Sequence, residues 1–559
     1  MRRRSLILGI TFGVLFAGCG PAETTSPTTT GAGGTGGSGG AGVGGAGGAG
    51  GAGGATTTST PDPRFDALIA AIEAERKELG APGVAVAVIE DGKVTFARGF
   101  GSKDPDADVP VEATTLFRIG SVNKMLTAAA VLHQVGKGNV DLAAPVTDYV
   151  PGFELSQDAT WAPSIQVKHL LTHASGVVDY LDLSVPASQK EDAALLSFLT
   201  GSFGNIGYLM VPSGTFWNYS NPNFYLAGLV AELTAGKPYR QVMKDDVFTP
   251  LEMNRTFFLA SEVLADGDYA LGKSAYPGIP DVVLPDSYEN AWGRPAGFAF
   301  SSVLDLSKFA AFLLDGNEAV MPEALREEMT SAQIDTQALL DLVHYGYGLQ
   351  IFNGVFLGGP DEFHPMKVVE HGGDIPGFAA DLTLVPSLRF GFVTLSNADG
   401  AHFTNSLVTA LTTLAPLPPT SPAPDLTADP ATFGAFEGVY QDDFNVGEIT
   451  VTQVGDTLEV NMPLVDQAGI PYEPALIPSA ENNFYLAIQG TYLQVTFIAD
   501  EAGESRYFRT RVFVGVRPEE PPPPPPAPAL LSPEGRAHFL YSIQRAQPTA
   551  AERLLRPKL

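Results

Sequence analysis

The chain has 559 residues, and 44% of them are hydrophobic, so it can bury a large core and form about two or three domains of ordinary size. Its formal net charge is −29. This charge argues against a nucleic-acid partner, because binding to phosphates depends on Lys and Arg, and it disfavours attraction to an anionic lipid surface. The single cysteine, Cys19, excludes an intramolecular disulfide.

The first predicted element is an export signal over residues 1–18. Arg2–Arg4 form a basic region, and Ser5–Gly18 form an apolar run that is too short for a comfortable membrane span. Cys19 follows this run directly, and the stretch resembles the lipobox of bacterial lipoproteins, in which the cysteine is acylated. The alternative is a signal peptide without lipid, followed by an incidental cysteine.

Residues 19–60 are rich in Gly and Thr and are predicted to be a flexible tether. Glycine recurs at every third position in part of this stretch, but without proline, so a collagen structure is not expected. The tether would hold a globular domain away from a membrane surface.

Residues 61–415 are predicted to form one densely structured domain. Apolar residues at helical spacing follow Pro61, and the segment "GVAVAVIEDGKVTFARGFG" alternates and turns at Asp91-Gly92, which is typical of a hairpin. Strand-like runs return late, at "VVEHGG", "DLTLVPS" and "FGFVTLSN", and helical patterns fill the middle. Strands at both ends of the domain predict one sheet that is built from both ends.

Residues 416–431 are predicted to be a proline-rich linker, and residues 432–517 a small all-β domain. Short strand-like segments in this domain are separated by turns at Gly455-Asp456 and near Gly490, as in a barrel or sandwich. Residues 518–559 contain the polyproline run Pro521–Pro526 and a tail in which one helix is expected.

A candidate nucleophile lies in the segment "RIGSVNKMLTAAAVL". Ser121 and Lys124 are three residues apart at the start of an apolar helix, so that they lie on one helix face. A lysine whose pKa is lowered by burial can act as the base for a serine, and the helix start favours a developing anion. The alternative is that Ser121 caps the helix and Lys124 is a solvated residue of its first turn.

A second motif, "PSGTFWNYSNPNFYLAGLV", places Tyr219, Ser220 and Asn221 at a turn before another apolar helix. A tyrosine can accept a proton if cations stabilise its phenolate, and an asparagine can orient both a lysine and a substrate. The alternative for Tyr219 is a half-buried turn residue. The same spacing recurs at Tyr288-Glu289-Asn290, but without a following helix, and we reject it as a site.

A third motif is the strand-like run that ends in His371-Gly372-Gly373. Glycine allows the backbone and a substrate to approach each other closely at a strand edge. The N–H of Asp374 could pair with that of Ser121 to form an oxyanion hole. The alternative is a structural histidine after a strand.

Together these motifs resemble the serine β-lactamase and penicillin-binding-protein superfamily, in the branch near class C β-lactamases, DD-peptidases, D-aminopeptidases and family VIII esterases. The resemblance covers about residues 65–414. It is supported by "GVAVAVIEDGKVTFARGFG", "FRIGSVNKMLTAAAVL", "IQVKHLLTHASGV", "GTFWNYSNPNFYLAGLV", "VFTPLEMNRT", "AGFAFSSVLDLSKFAAFLL" and "HGGDIPGFAADL". The fold it implies is an α/β (α+β) fold with an antiparallel sheet, flanking helices and an all-α subdomain. The β domain resembles lipocalin-like appendages of such proteins.

The resemblance implies that Ser121 is the acylated nucleophile and that Lys124 and Tyr219 share the general-base work. Asn221 would contact the substrate amide or the lysine. His371-Gly372-Gly373 takes the place of the Lys-Thr-Gly strand of true β-lactamases, so that His371, Gly373 and Asp374 become candidate substrate-binding residues. A neutral imidazole binds a substrate carboxylate less well than a lysine, which disfavours strong β-lactamase activity.

The sequence therefore predicts an exported serine hydrolase of the bacterial cell envelope, anchored in the membrane by a lipid on Cys19. Its expected substrate is a small peptide, an ester, an amide or a β-lactam-like compound. No metal or other cofactor is expected, since the histidines other than His169, His173 and His371 show no ligand spacing. The alternative function is a catalytically silent cell-envelope or penicillin-binding protein. The oligomeric state is left open.

Overall fold

A computed structural model describes residues 62–155, 160–181, 189–276, 278–359 and 361–518. The predicted signal peptide, the tether, Cys19 and the tail from residue 519 onward lie outside the described residues. No helix in the described ranges combines the length and the apolar character that a membrane crossing requires.

The helices in the described part of the chain are α1 (Asp66–Glu78), α2 (Asn123–Gly136), α3 (Trp161–Ser164), α4 (Val167–Leu171), α5 (Ala194–Ser197), α6 (Asn221–Ala235), α7 (Tyr239–Val242), α8 (Ala260–Asp266), α9 (Arg294–Gly297), α10 (Val303–Asp315), α11 (Glu323–Met329), α12 (Thr404–Leu414) and α13 (Pro463–Gln467).

The first strands are β1 (Gly83–Glu90), β2 (Lys93–Asp104), β3 (Ala107–Pro110), β4 (Phe117–Arg118), β5 (Gly272–Lys273), β6 (Val282–Val283), β7 (Phe300–Ser301), β8 (Ile334–Asp335), β9 (Val343–Tyr345), β10 (Gln350–Phe352), β11 (Val355–Phe356), β12 (Phe363–His364), β13 (Val368–Ile375), β14 (Phe378–Val385) and β15 (Phe390–Ser396). The later strands are β16 (Gly438–Asp442), β17 (Gly447–Val454), β18 (Thr457–Asn461), β19 (Ala475–Ala480), β20 (Asn483–Ile488), β21 (Thr491–Ala499), β22 (Ser505–Arg509) and β23 (Val514–Val516).

The main sheet has nine strands in the order β3-β2-β1-β15-β14-β13-β10-β9-β8. β1 pairs antiparallel with β2 on one side and with β15, from the far end of the domain, on the other. The β1–β2 hairpin turns at Asp91 and Gly92, which both have positive φ, as a two-residue turn of this kind requires. The prediction of one sheet built from both ends of the domain is therefore confirmed.

Strand β1, in the interior of the sheet, is buried on both faces because its alternate residues join two different cores. One core includes residues of α1 and α12, and the other includes residues of α2, α6 and α10. The first core takes Val84, Val86 and Val88 of β1, and the second takes Ala85, Ala87 and Ile89. This arrangement, an antiparallel sheet flanked by helices with a helical subdomain, confirms the predicted fold class.

Strands β16–β23 form a closed eight-stranded barrel, as expected for the second domain. The predicted turns at Gly455-Asp456 and near Gly490 connect β17 to β18 and β20 to β21. Buried aromatic residues that include Phe484, Phe497 and Phe508 fill the interior, since a barrel of eight strands is just wide enough for side chains. The short helix α13 was not predicted.

The barrel packs through an apolar contact against the domain that holds the main sheet. The ring of Tyr208 stacks on that of Phe444 with centroids 3.9 Å apart, and Asn445 of the barrel donates a hydrogen bond to the Tyr208 hydroxyl. The proline-rich linker also contacts the first domain, where the N–H of Ser421 donates to the carbonyl of Phe363. All the described residues belong to one compact unit. The boundaries at 415 and 432 stay predictions.

Candidate active site

Ser121 lies in a 3-10 turn, Gly120–Val122, directly before α2. Gly120 has a φ of 49°, and a Cβ at this residue would lie 2.8 Å from the backbone nitrogen of Asp374. Glycine is required at this turn, because an L side chain would be strained and would collide with β13. The N-cap of α2 is Val122, so Ser121 does not cap the helix.

Lys124, in the first turn of α2, is completely buried. Its Nζ atom lies 2.9 Å from Ser121 Oγ, 2.8 Å from Asn221 Oδ1 and 2.8 Å from the carbonyl oxygen of Ala296. The interpretation of Lys124 as a solvated helix residue is therefore wrong. The structure brings the predicted nucleophile and the predicted base into direct contact.

The orientation of Asn221 is fixed by Asp179. One carboxylate oxygen of Asp179 accepts the backbone N–H of Asn221 at 2.8 Å and its side-chain amide at 2.9 Å. The amide oxygen of Asn221 must therefore face Lys124. Asn221 and Ala296 thus accept two N–H bonds from Nζ. In a neutral amine, this leaves the lone pair to accept a hydrogen bond from the Ser121 hydroxyl.

Tyr219 also contacts the nucleophile, since its phenol donates to Ser121 Oγ at 2.8 Å. Lys124 Nζ lies 4.9 Å from the centroid of the Tyr219 ring, and the guanidinium carbon of Arg511 lies 4.5 Å from it. The charge of Arg511, joined by that of Lys124 whenever Lys124 is protonated, favours the phenolate over the phenol. The arrangement fits the predicted part of Tyr219 in proton transfer.

The buried ring of His173 packs against the ring of Tyr219. Its ring lies 4.3 Å from the Tyr219 ring between centroids, and its Nδ1 accepts the backbone N–H of Ser220. Burial, together with the charges of Lys124, His371 and Arg511, holds the pKa of His173 well below its usual value. A neutral His173 adds no further positive charge beside the base.

His371, on β13, is buried, and both of its ring nitrogens are occupied. Nδ1 donates to the carbonyl of Gly372 at 2.6 Å, so that Nε2 accepts the hydroxyl of Tyr345 at 3.0 Å. Burial, and then the charge of Lys124, lowers the pKa of His371 to about 3. His371 is therefore neutral and supplies no cation for a substrate carboxylate.

The backbone of Gly373 and Asp374 passes directly beside the nucleophile. A Cβ at Gly373 would lie 2.1 Å from the carbonyl oxygen of Ile119 and 2.8 Å from the nitrogen of Ser121. The absence of a side chain thus allows β13 to approach the Ser121 turn. This approach fits the predicted pairing of the Ser121 and Asp374 N–H groups in an oxyanion hole.

The side chain of Asp374 is held by His402, which the sequence analysis did not identify. His402 lies between two carboxylates, with Nε2 at 2.9 Å from Asp374 and Nδ1 at 2.9 Å from Asp381. Burial opposes protonation of this ring, but the charges and hydrogen bonds of the two carboxylates prevail and raise the pKa of His402 well above its usual value. Both nitrogens donate only in an imidazolium.

A small cleft opens beside these residues. Three of the predicted site residues line it, namely Ser121, Asn221 and Asp374, together with apolar side chains that include Leu181 and Phe298. A mainly apolar pocket with a few convergent polar groups is typical of small-molecule sites. In the described ranges, no group of three or more His, Cys, Asp or Glu residues is arranged to hold a metal ion.

The chain is similar to several known proteins. A family model described as Beta-lactamase matches residues 67–414. Protein flp of Staphylococcus aureus (strain MW2) is 25% identical over 331 residues, which are 59% of this chain and 62% of that protein.

Two solved structures show a similar fold. The octameric penicillin-binding protein homologue from Pyrococcus abyssi superposes with a TM-score of 0.54 at 24% identity, covering 78% of this chain and 96% of that chain. SurE, solved with D-Leu, superposes with a TM-score of 0.60 at 20% identity, covering 81% of this chain and 99% of that chain. Since the family model matches more than half of the sequence, the chain belongs to the beta-lactamase family, within the serine β-lactamase and penicillin-binding-protein superfamily.

Proposed function

We propose that the protein is a serine hydrolase that acts through an acyl-enzyme on Ser121. The observation that carries this proposal is the contact of one oxygen, Ser121 Oγ, with both Lys124 Nζ and the Tyr219 phenol. A serine hydroxyl becomes a strong nucleophile only when a base lies within hydrogen-bond reach.

In the first step, Ser121 Oγ attacks the substrate carbonyl and its proton passes to Lys124. The carbonyl oxygen, now an anion, accepts N–H bonds from Ser121 and Asp374. Collapse of this intermediate breaks the bond to the alcohol or amine, which receives the proton from Lys124 through Tyr219. In the second step, water attacks the acyl carbonyl carbon, and the bond from this carbon to Ser121 Oγ breaks. The carboxylic acid leaves, and the proton lost by the water passes to Ser121 Oγ.

The proposed substrates are esters, amides or peptides, with only weak turnover of β-lactams. The neutral, internally bonded His371 supports this choice, because it stands where a true β-lactamase has a cation for the substrate carboxylate. A panel of p-nitrophenyl esters, D-alanyl peptides and nitrocefin tests it. Turnover of nitrocefin that exceeds turnover of every ester and peptide would contradict it.

A fluorophosphonate probe, which forms a covalent phosphonate ester with an activated serine, tests whether Ser121 is the nucleophile. We expect the probe to add mass to the tryptic peptide of residues 119–124, which contains Ser121, and to no other peptide. Ser121→Ala should abolish labelling and turnover, whereas Ser213→Ala, at a serine bonded to the carbonyl of Ser175, should keep both. Absence of labelling in the folded wild type would favour a catalytically silent binding protein instead.

We also propose that the mature protein is anchored to the cell envelope by a lipid on Cys19. The basic and apolar runs before Cys19 support this proposal. Cys19→Ala should move the protein out of the membrane fraction or leave an unprocessed precursor, whereas Ser121→Ala should remain in that fraction. Wild-type protein that is found without acylation and wholly outside the membrane fraction would contradict the proposal.

A further inference from the structure

The loop between β22 and β23 of the barrel reaches the active-site domain. Arg509, at the end of β22, is buried and donates to the carbonyl oxygens of Trp217 at 2.9 Å and Thr336 at 2.7 Å. The carbonyl of Thr510 accepts the side-chain amide of Asn218 at 3.2 Å. The barrel is thus bonded to the residues that directly precede Tyr219.

The same loop carries a cation to the polar groups around the base. Nε and Nη2 of Arg511 donate to Oδ2 of Asp179 at 3.1 and 2.8 Å. The other oxygen of Asp179 accepts both N–H bonds from Asn221, whose amide oxygen in turn accepts Nζ of Lys124. One continuous chain of hydrogen bonds therefore runs from the barrel to the catalytic lysine.

Asp179 is largely buried, with 9% of its side chain exposed. A buried carboxylate that loses a partner charge becomes less stable and tends to take up a proton or to move. Without Arg511, Asp179 would hold Asn221 less firmly. Asn221 would then lose the orientation that places an acceptor on Lys124 and leaves the Lys124 lone pair for Ser121.

Arg511 also acts on Tyr219 directly, since its guanidinium lies over the ring. Other ionisable groups near this ring, among the residues that the structure describes, include Lys124, a cation when protonated, and the imidazoles of His173 and His371. Because both imidazoles are held neutral, Arg511 is a fixed positive charge beside the proton-transfer groups.

We propose that Arg511 is a positioning residue of the active site, so that the C-terminal barrel completes the catalytic machinery of the first domain. Arg511 fixes Asn221 through Asp179, and its charge favours the deprotonated forms of Tyr219 and Lys124. The inference rests on the proposed function of Ser121 as an acylated nucleophile.

The test measures the pre-steady-state rate at which a p-nitrophenyl ester acylates Ser121 in the full chain, followed by release of p-nitrophenol, as a function of pH. Arg511→Gln should slow acylation roughly 10- to 100-fold, because the base is misplaced. Loss of the cation should also move the rising, acid-side limb of the profile to higher pH by about one unit. Arg511→Lys keeps the charge, so its limb should stay near that of the wild type while its rate recovers only in part.

The matched control is Arg517→Gln, which removes the same charge from the barrel at a residue that bonds to Glu437 and Tyr440. Its rate and pH profile should equal those of the wild type. Wild-type acylation in Arg511→Gln would overturn the inference. The inference would also be overturned if Arg511→Gln and Arg511→Lys were acylated at equal rates and the acid-side limb of the pH profile did not move. That result would indicate a purely structural effect.

Two further variants keep the test decisive if Arg511→Gln does not fold. Asp179→Asn breaks the chain of hydrogen bonds at its centre and should slow acylation. The double variant Asp179→Asn/Arg511→Lys should be only slightly slower than Asp179→Asn alone. If the rate losses of Asp179→Asn and Arg511→Lys multiply in the double variant, the hydrogen-bond chain from Arg511 to Lys124 does not act as one unit. That result would overturn the inference. Labelling that persists in Ser121→Ala would instead refute the proposed function, so the two failures are distinguishable.

Discussion

The phenol of Tyr219 donates a hydrogen bond to Oγ of Ser121 at 2.8 Å, and the same oxygen lies 2.9 Å from Nζ of Lys124. The serine hydroxyl is therefore shared by two groups that can each exchange a proton with it. With a neutral Lys124, the hydrogen bonds run from Tyr219 to Ser121 and from Ser121 to Lys124. This direction suits removal of the serine proton by the lysine and its later return through the tyrosine.

If Lys124 and Tyr219 act as one proton relay, the factors by which their substitutions lower kcat should not multiply. Lys124→Ala is expected to lower kcat by several orders of magnitude, and Tyr219→Phe by a lesser or similar factor. The double variant should be far more active than the product of the two factors predicts, because the relay is already broken by either change. The measurement is kcat on a p-nitrophenyl ester for all four proteins.

Ser121→Ala supplies the background rate for this comparison of the single and double variants. Circular dichroism checks that each variant is folded, because Lys124→Ala removes a buried side chain together with its hydrogen bonds. Factors that multiply in the double variant would show that Lys124 and Tyr219 serve different steps, and would refute the relay.

The sequence was sufficient for the part of the site that depends on local spacing. Ser121 and Lys124 are separated by less than one helical turn, and Tyr219 and Asn221 flank the start of another helix, so their chemistry can be read from neighbours in the chain. That the pair Ser121 and Lys124 lies beside the pair Tyr219 and Asn221 was an inference from the family resemblance. The structure shows its physical basis, because α2 and α6 are packed together in one core.

Ala296, Asp179 and Arg511 could not be predicted as parts of the site, because they come from distant parts of the chain and belong to none of the three motifs. Ala296 acts through its backbone carbonyl, which has no sequence signature. Asp179 stands in an ordinary turn segment, and Arg511 belongs to a different domain. The barrel itself was predicted from its strand pattern, but a pattern of alternating residues does not indicate which loop will be docked beside a catalytic residue.

The close approach of β13 to the nucleophile predicts the effect of a single methyl group. In Gly373→Ala the new Cβ would overlap with the carbonyl of Ile119 and press on the nitrogen of Ser121, so the oxyanion donors must move. Displacement of one such donor costs roughly 100- to 1,000-fold in kcat. Steady-state kinetics on an ester should show this loss in kcat, with a smaller change in KM.

Gly201→Ala is the matched control, because a Cβ at this exposed glycine meets no atom within 4 Å. It should leave kcat and KM unchanged. An unchanged kcat in Gly373→Ala would mean that the backbone of β13 does not contribute to the oxyanion hole.

His371 should make the protein sensitive to acid. Its pKa is lowered to about 3 in the folded state by burial and then by the charge of Lys124, whereas an unfolded histidine titrates near 6.5. The unfolded chain therefore binds a proton between these values that the folded chain does not. The free energy of unfolding should fall as the pH decreases below about 6.5, by about 1.4 kcal/mol per pH unit from this group.

Denaturant unfolding between pH 4 and 7 measures this slope. His371→Gln should show a shallower decline than the wild type, with the rest of the slope supplied by His173 and His169, whose pKa values are also lowered. Tyr345→Phe removes the hydrogen bond to His371 but keeps the titrating ring, so its slope should match that of the wild type. An equal slope in His371→Gln would contradict the assignment.

His402 should have the opposite effect at alkaline pH. Burial disfavours its protonated form, but the carboxylates of Asp374 and Asp381 outweigh burial, so its folded pKa lies well above the unfolded value of about 6.5. The stability that this raised pKa contributes is fully present below about pH 6.5. It is lost as the pH rises through the folded pKa.

The variant Asp374→Asn isolates this contribution. It removes one of the two charges on His402, so the folded pKa moves back toward the usual value and the alkaline decline ends at a lower pH. We therefore expect the stability advantage of the wild type over Asp374→Asn to be largest near pH 6.5 and to shrink as the pH rises. Free energies of unfolding of both proteins, measured from pH 6.5 to 9.5 at constant ionic strength, give the comparison. An advantage that stays constant or grows over this range would show that His402 is not an imidazolium held between the two carboxylates.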